Sequence, residues 1–147
     1  MNFIKKSTLL VLIVGFFNGA TCKKENEDCH KRITFTNKSN SSIYIRLSRS
    51  YPDTLSYRNG PNPKLQPQFF NIASNATNTT ALESRSCIES EFGTPLIPNN
   101  ILMVYVFNAE ALDTLPDNTI IYDYLILKRY DLTLQNLKDR NWAITYP

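Results

Sequence analysis

The chain has 147 residues, with 16 Lys and Arg against 13 Asp and Glu and only 4 Gly, 3 Cys and 1 His. That length holds one domain and not two comfortable ones. No basic run or stripe is present, which excludes the electrostatic footprint of a nucleic-acid binder. There is no glycine-rich phosphate loop, no serine elbow and no metal-ligand spacing, so no cofactor is expected.

Residues 1–21 read as a targeting segment. Lys5 and Lys6 precede Ser7–Phe17, STLLVLIVGFF, an apolar run of 11 residues. A bilayer span needs about 20, so the run suits the h-region of a secretory signal peptide better than a retained anchor. Lys5 and Lys6 are two of the 16 basic residues; the chain from Cys22 onward keeps 14 against 13 acidic ones, a net charge of +1. Gly19-Ala20-Thr21-Cys22 follows the h-region and resembles the lipobox, whose Cys becomes the lipidated N-terminus of a bacterial lipoprotein. Ala20 fits that pattern, whereas Gly19 and Thr21 depart from it. The competing reading is ordinary cleavage after Ala20, which leaves an odd third cysteine in an oxidising compartment. Acyl chains on Cys22 would attach the protein to the membrane at about 0.8 kcal/mol per buried methylene.

Residues 22–30 then form a lipidated Cys and polar tether. Within Lys23–Asp28, Glu25, Glu27 and Asp28 resemble the surface-export signal of bacteroidete-type lipoproteins; the plainer reading is a solvated spacer. Cys29 and Cys87 are the remaining pair. In an oxidising envelope they are expected to form a disulfide worth roughly 4 kcal/mol of loop-closure entropy. Two free thiols, a metal site including His30, and a Cys-His nucleophile pair are the alternatives. Cys29 and His30 lack the two-residue spacing of zinc loops, and neighbours on a strand point to opposite faces.

From residue 31 to 147 the pattern is that of one β domain. Arg32–Asn37 alternates Ile33 and Phe35 with polar residues. Ser42–Arg49 places Ile43, Ile45 and Leu47 on one face and Tyr44, Arg46 and Ser48 on the other. These two runs read as a hairpin or as successive sandwich strands, with Asn37–Asn40 as turn chemistry. Ser50–Gln68 holds four prolines and no sustained period, and reads as a long loop or edge excursion. Gln68–Ala73 and the weaker Thr79–Ser86 follow as strands, and Phe92–Asn100 as a connection. Ile101–Phe107, ILMVYVF, is expected to be a core strand. Asn108–Asn118 reads as a loop with a helical turn near Ala109–Leu112, and Ile120–Tyr130 as another long strand. Asp131-Leu132-Thr133 offers N-caps for a short helix over Leu134–Arg140, with Leu134 and Leu137 inward and Lys138 and Arg140 at its C-terminal end. Trp142–Tyr146 closes the chain as a strand.

The expected class is mainly β, an antiparallel β-sandwich that is immunoglobulin-like in the loose sense, with one short C-terminal helix; an α+β domain is the alternative. LILKRYDLTLQNLKDRNWAITYP, with ITFTNKSNSSIYIRLSRSYPDT near the start, resembles a group of small bacteroidete-type envelope lipoproteins of unknown function. The resemblance covers most of the chain after the leader. It implies a lipoprotein anchored to the outer membrane of a Gram-negative envelope, on either its periplasmic or its surface face. It carries no catalytic residues over.

Candidate binding residues gather in Arg46, Arg49, Tyr51, Tyr57 and Arg58, since Tyr and Arg on a loop can stack on sugar rings and bond hydroxyls. The plainer reading has the tyrosines pinning the loop and the arginines solvated. Asp53-Thr54-Leu55 and Asp113-Thr114-Leu115 match the O-glycosylation pattern of bacteroidete-type envelopes, with Thr54 and Thr114 as acceptors on exposed loops. Asn-X-Ser/Thr triplets at Asn37, Asn40, Asn75 and Asn78 read as turn chemistry. Glu83, Glu89 and Glu91 are the one carboxylate group a glycan hydrolase could use, and solvated acids are the ordinary reading. The leading expectation is a non-enzymatic binding or interaction module with a glycan or envelope protein as partner and its membrane contact through the lipid. A structural or accessory subunit of an envelope assembly comes second.

Overall fold

The computed structural model describes residues 28–52, 69–115 and 125–147. The leader, Cys22, most of the tether, Thr54, Tyr57, Arg58 and the first part of the Ile120–Tyr130 run lie outside the described residues. The strands are β1 (Arg32–Asn37), β2 (Ile43–Ser48), β3 (Phe69–Ile72), β4 (Thr77–Glu83), β5 (Leu102–Asn108), β6 (Ile126–Leu132) and β7 (Ala143–Tyr146). The described residues also hold two short α-helices, α1 (Ala109–Thr114) and α2 (Leu134–Asp139), and 3-10 segments at Ile88–Glu91 and Pro98–Asn100. The expected turn near Ala109 is thus a six-residue helix, capped by the Asn108 side chain accepting from the Ala111 amide.

The strands form two sheets, one of order β4-β1-β7 and one of order β3-β2-β5-β6. The fold is mainly β and sandwich-like, as the alternating runs predict. β1 and β2 are not a hairpin: they sit in opposite sheets, and the Asn37–Ser41 turn carries the chain between them. Pairing is antiparallel except between β1 and β7, which run parallel.

Period-two alternation builds the core. Ile33, Phe35, Ile43, Ile45, Leu102, Val104, Val106 and Ile144 meet between the sheets. β5 is buried on both faces. Met103, Tyr105 and Phe107 point to the outer side of the four-stranded sheet, where Leu112 of α1 and Leu125 cover them. A helix laid on that face explains why ILMVYVF carries no polar alternation. Among the described residues β6 runs from Ile126 to Leu132, two residues past the expected end at Tyr130.

Two local devices set the geometry around the later site. The register of β4 against β1 shifts between Ile33 and Phe35, a bulge in the edge strand. Asn78 Oδ1 accepts from the backbone amides of Thr80 at 2.8 Å and Ala81 at 2.7 Å and so occupies the donors that the bulge frees. At the other end of the domain, Thr133 and Asn136 form a reciprocal capping box on α2. The helix ends in a Schellman arrangement: Asn141 N–H donates to Lys138 at 2.9 Å and Trp142 N–H to Leu137 at 2.9 Å. Asn141 (φ 50°) and Trp142 (φ 56°) are both left-handed there, and Trp142 is buried against Leu137.

Candidate functional site

The N-terminal end of the described chain, before β1, is fastened to the domain by a clasp. Cys29 and Cys87 are joined by a disulfide with their Cα atoms 4.9 Å apart. Their sulfurs are therefore neither metal ligands nor nucleophiles, which removes those alternatives for Cys29 and His30. The His30 amide donates to both carboxylate oxygens of Glu89, at 3.1 and 2.9 Å, and His30 Nδ1 lies 2.5 Å from Oε1. The imidazole stacks on the Trp142 indole with centroids 4.2 Å apart and planes 12° from parallel. Two backbone bonds, Ile88 N–H to His30 O and Ser84 N–H to Lys31 O, both 2.8 Å, complete the attachment. Trp142 makes this stack from its left-handed backbone position.

One turn further on, the 3-10 segment Ile88–Glu91 buries an acid. Glu91 is 3% exposed. Its Oε2 accepts from Arg49 Nε at 2.9 Å, and its Oε1 accepts from the Ser86 hydroxyl at 2.8 Å and from the Ser84 hydroxyl. Burial is the largest single influence on this carboxyl and pushes its pKa up. The Ser84, Arg49 and Ser86 hydrogen bonds, with the charge of Arg49, together outweigh it and hold the group below the ordinary glutamate value. Glu91 is an anion fixed in place, and it fixes Arg49 in turn. Among the described residues Glu91 is the only partner of Arg49, whose side chain is 36% exposed.

Arg49 faces an open groove of about 730 Å³ between the β4 edge of one sheet and β2 and β3 of the other. Leu47, Phe70 and Ala81 supply apolar surface, Thr80 and Ser84 hydroxyls, and Lys31, Arg49 and Arg85 positive charge. A second hollow of about 420 Å³ shares Arg49, Glu83, Ser84 and Arg85 with it and extends to Leu96, which is 59% exposed. Beside the groove, the bulge in β4 turns Ala81 and Leu82 into the core together, and pairing with β1 resumes at Leu82 and Glu83.

The structure divides the residues singled out from sequence. Arg49 lies on the groove. Arg46, paired in register with Tyr105, lies on the opposite face of the same sheet, and Tyr51 packs with the outer cluster there. Tyr57, Arg58 and Thr54 are outside the described residues. Thr114 is exposed at the end of α1, its hydroxyl donating to Ala111 O at 2.8 Å. The three acids are not merely solvated: Glu83 pairs with Arg32 at 3.2 Å, Glu89 with His30, and Glu91 with Arg49. Phe70, Ser84, Arg85 and the burial of Glu91 escape a sequence reading. The one available signal is the Ser84-x-Ser86 spacing ahead of Glu91, which sets two hydroxyls beside one acid. Among the described residues no group of three His, Cys, Asp or Glu side chains could hold a metal ion. No family model, no curated protein and no solved structure matches the chain.

Proposed function

We propose that the protein is an envelope lipoprotein, anchored to the outer membrane through Cys22, whose β domain is a non-catalytic binding module with its ligand site in the groove beside Arg49. The observation that carries this reading is the groove itself: ligand-sized, partly apolar, and furnished with a guanidinium held in position by a buried carboxylate. The clasp at Cys29 and His30 supports the tether half of the proposal, because it is where a chain pulled from the membrane side would load the domain.

The site's electrostatics speak against a hydrolase. A general acid needs a carboxyl whose pKa is raised, and that of Glu91 is lowered, while Glu83 lies half exposed beside Arg32. An accessory role in an assembly draws on a different feature, Leu127, a large apolar side chain 43% exposed on the edge strand β6.

Two experiments test the proposal. Palmitate labelling and protease shaving of intact cells, comparing the native chain with Cys22→Ser, read the anchor; label retained in the variant refutes it. Thermal-shift screening of the full chain against a panel of neutral and charged glycans reads the groove, because a ligand raises the midpoint by RT ln(1 + [L]/Kd). The expected outcome is a shift that Arg85→Glu abolishes. No shift with any glycan, or one that Arg85→Glu leaves intact, removes the groove as the ligand site.

A further inference from the structure

We infer that the groove takes a carboxylated carbohydrate, with its acid group against Arg49 and Arg85 and the flat C–H face of its ring on Phe70; this deepens the binding-module reading and rests on it. Charge selects the acid. Glu83, the acid among the groove's lining residues, already has a cation in Arg32, and Glu91, buried behind the groove, holds Arg49 by its Nε alone. Arg85 is exposed and has no ion-pair partner among the described residues. The bound Nε of Arg49 leaves its terminal N–H groups to form the planar fork that suits a carboxylate.

The lining selects the rest of the ligand. Apolar and polar side chains are interleaved along the groove: Leu47 with Arg49, and Ala81 between Thr80 and Glu83. The Thr80 and Ser84 hydroxyls donate to Asn78 and Glu91, and an alkyl chain over Leu47 and Phe70 would strip water from their remaining acceptor sites and from Glu83 without replacing those hydrogen bonds. A sugar ring has one apolar face for Phe70 and hydroxyls around its rim for Thr80 and Ser84, so it satisfies both kinds of surface.

Calorimetric titration of the full chain with oligogalacturonate, its methyl-esterified form and octanoate tests the inference. The acid oligosaccharide is expected to bind, and the ester at least tenfold more weakly, because a charge-assisted hydrogen bond is lost. Arg85→Gln should weaken the acid by about tenfold and bring it level with the ester. Arg85 is exposed, so this variant tests the site without disturbing the fold, whereas Arg49→Gln leaves Glu91 unpaired. Phe70→Leu keeps the apolar volume but removes the flat face, and should weaken acid and ester alike. Equal binding of acid and ester, no effect of Arg85→Gln, or octanoate binding without oligogalacturonate overturns the inference. Should oligogalacturonate fail while a neutral glycan gives an Arg85-dependent thermal shift, the carboxylate is wrong and the binding module stands. Silence from every glycan in both assays removes both.

Discussion

Replacing Glu91 by Gln probes the buried pair behind the groove. The substitution keeps the shape and removes the charge. It converts up to three charge-assisted hydrogen bonds, from Arg49, Ser84 and Ser86, into at most one or two neutral ones. Bonds to a charged group are worth about 1.5–3 kcal/mol each and neutral ones about 1. The Arg49 side chain is 36% exposed, so water recovers part of its share. The net loss is about 2–4 kcal/mol, a large fraction of the roughly 5–15 kcal/mol that holds a domain folded. The pH dependence has a definite sign. The folded-state pKa of Glu91 is lowered, so its stabilisation is complete above the unfolded glutamate value of about 4.3 and is lost as pH falls through the folded value. Urea unfolding at a series of pH values from 7 down to 3 should therefore show the native chain losing stability on the acid side and Glu91→Gln losing less. Arg49→Gln should destabilise at least as much at pH 7, since it leaves an almost fully buried carboxylate with two hydroxyls. The double substitution should cost clearly less than the two single ones together. If Glu91→Gln matches the native chain at pH 7 and follows the same acid slope, the carboxylate is not the buried anion described here.

Two further outcomes follow from the framework around the site. Cys29→Ser with Cys87→Ser opens a loop of 58 residues' separation and should lower stability by roughly 4 kcal/mol, read from urea midpoints; an unchanged midpoint on adding reductant to the native protein would show that the bond contributes nothing. Asn37 is fully buried and its amide donates to the carbonyls of Ser41, Ile72 and Ala73 at 2.8, 3.2 and 3.0 Å, tying the end of β1 to β2 and β3. Asn37→Ala should cost about 2–4 kcal/mol through unsatisfied carbonyls. Asn37→Asp turns the donor into an anion facing three acceptors and should be worse at pH 7 than at pH 4; an Asp variant as stable as Asn at pH 7 would show that the amide is oriented the other way.

Much of the β framework was legible along the chain because it depends on neighbours in sequence. Ile33 and Phe35, Ile43 and Ile45, and the unbroken ILMVYVF run declare their strands through periodicity alone, and Thr133 declares the start of α2 through its side-chain oxygen. Cys29 and Cys87 could be paired in thought because, with Cys22 assigned to the anchor, two cysteines remain. The expected single helix became two because Asn108 caps a segment whose Leu112 completes the outer face of β5, a burial that only the packed sheet makes worthwhile. The binding loop gathered from Arg46, Arg49 and Tyr51 came apart for a simple reason. Arg46 stands on the outer face of β2 beside Tyr105, whereas β2 ends at Ser48 and Arg49, past that end, is drawn to Glu91 and the groove.

The local pattern by itself determined which segments could be strands and which face of each would be buried, since alternation is a property of the backbone. What only the tertiary structure decided is which strands meet, that β1 and β2 belong to different sheets, and that β7 lies parallel to β1. It also decided that Glu91, a residue indistinguishable in sequence from its acidic neighbours, is the one taken out of water. That choice depends on Arg49, 42 residues away in sequence, arriving beside a carboxylate that already has the hydroxyls of Ser84 and Ser86 from its own stretch of chain. A buried charge is stable only when all its partners are present together, and no single stretch of sequence contains them.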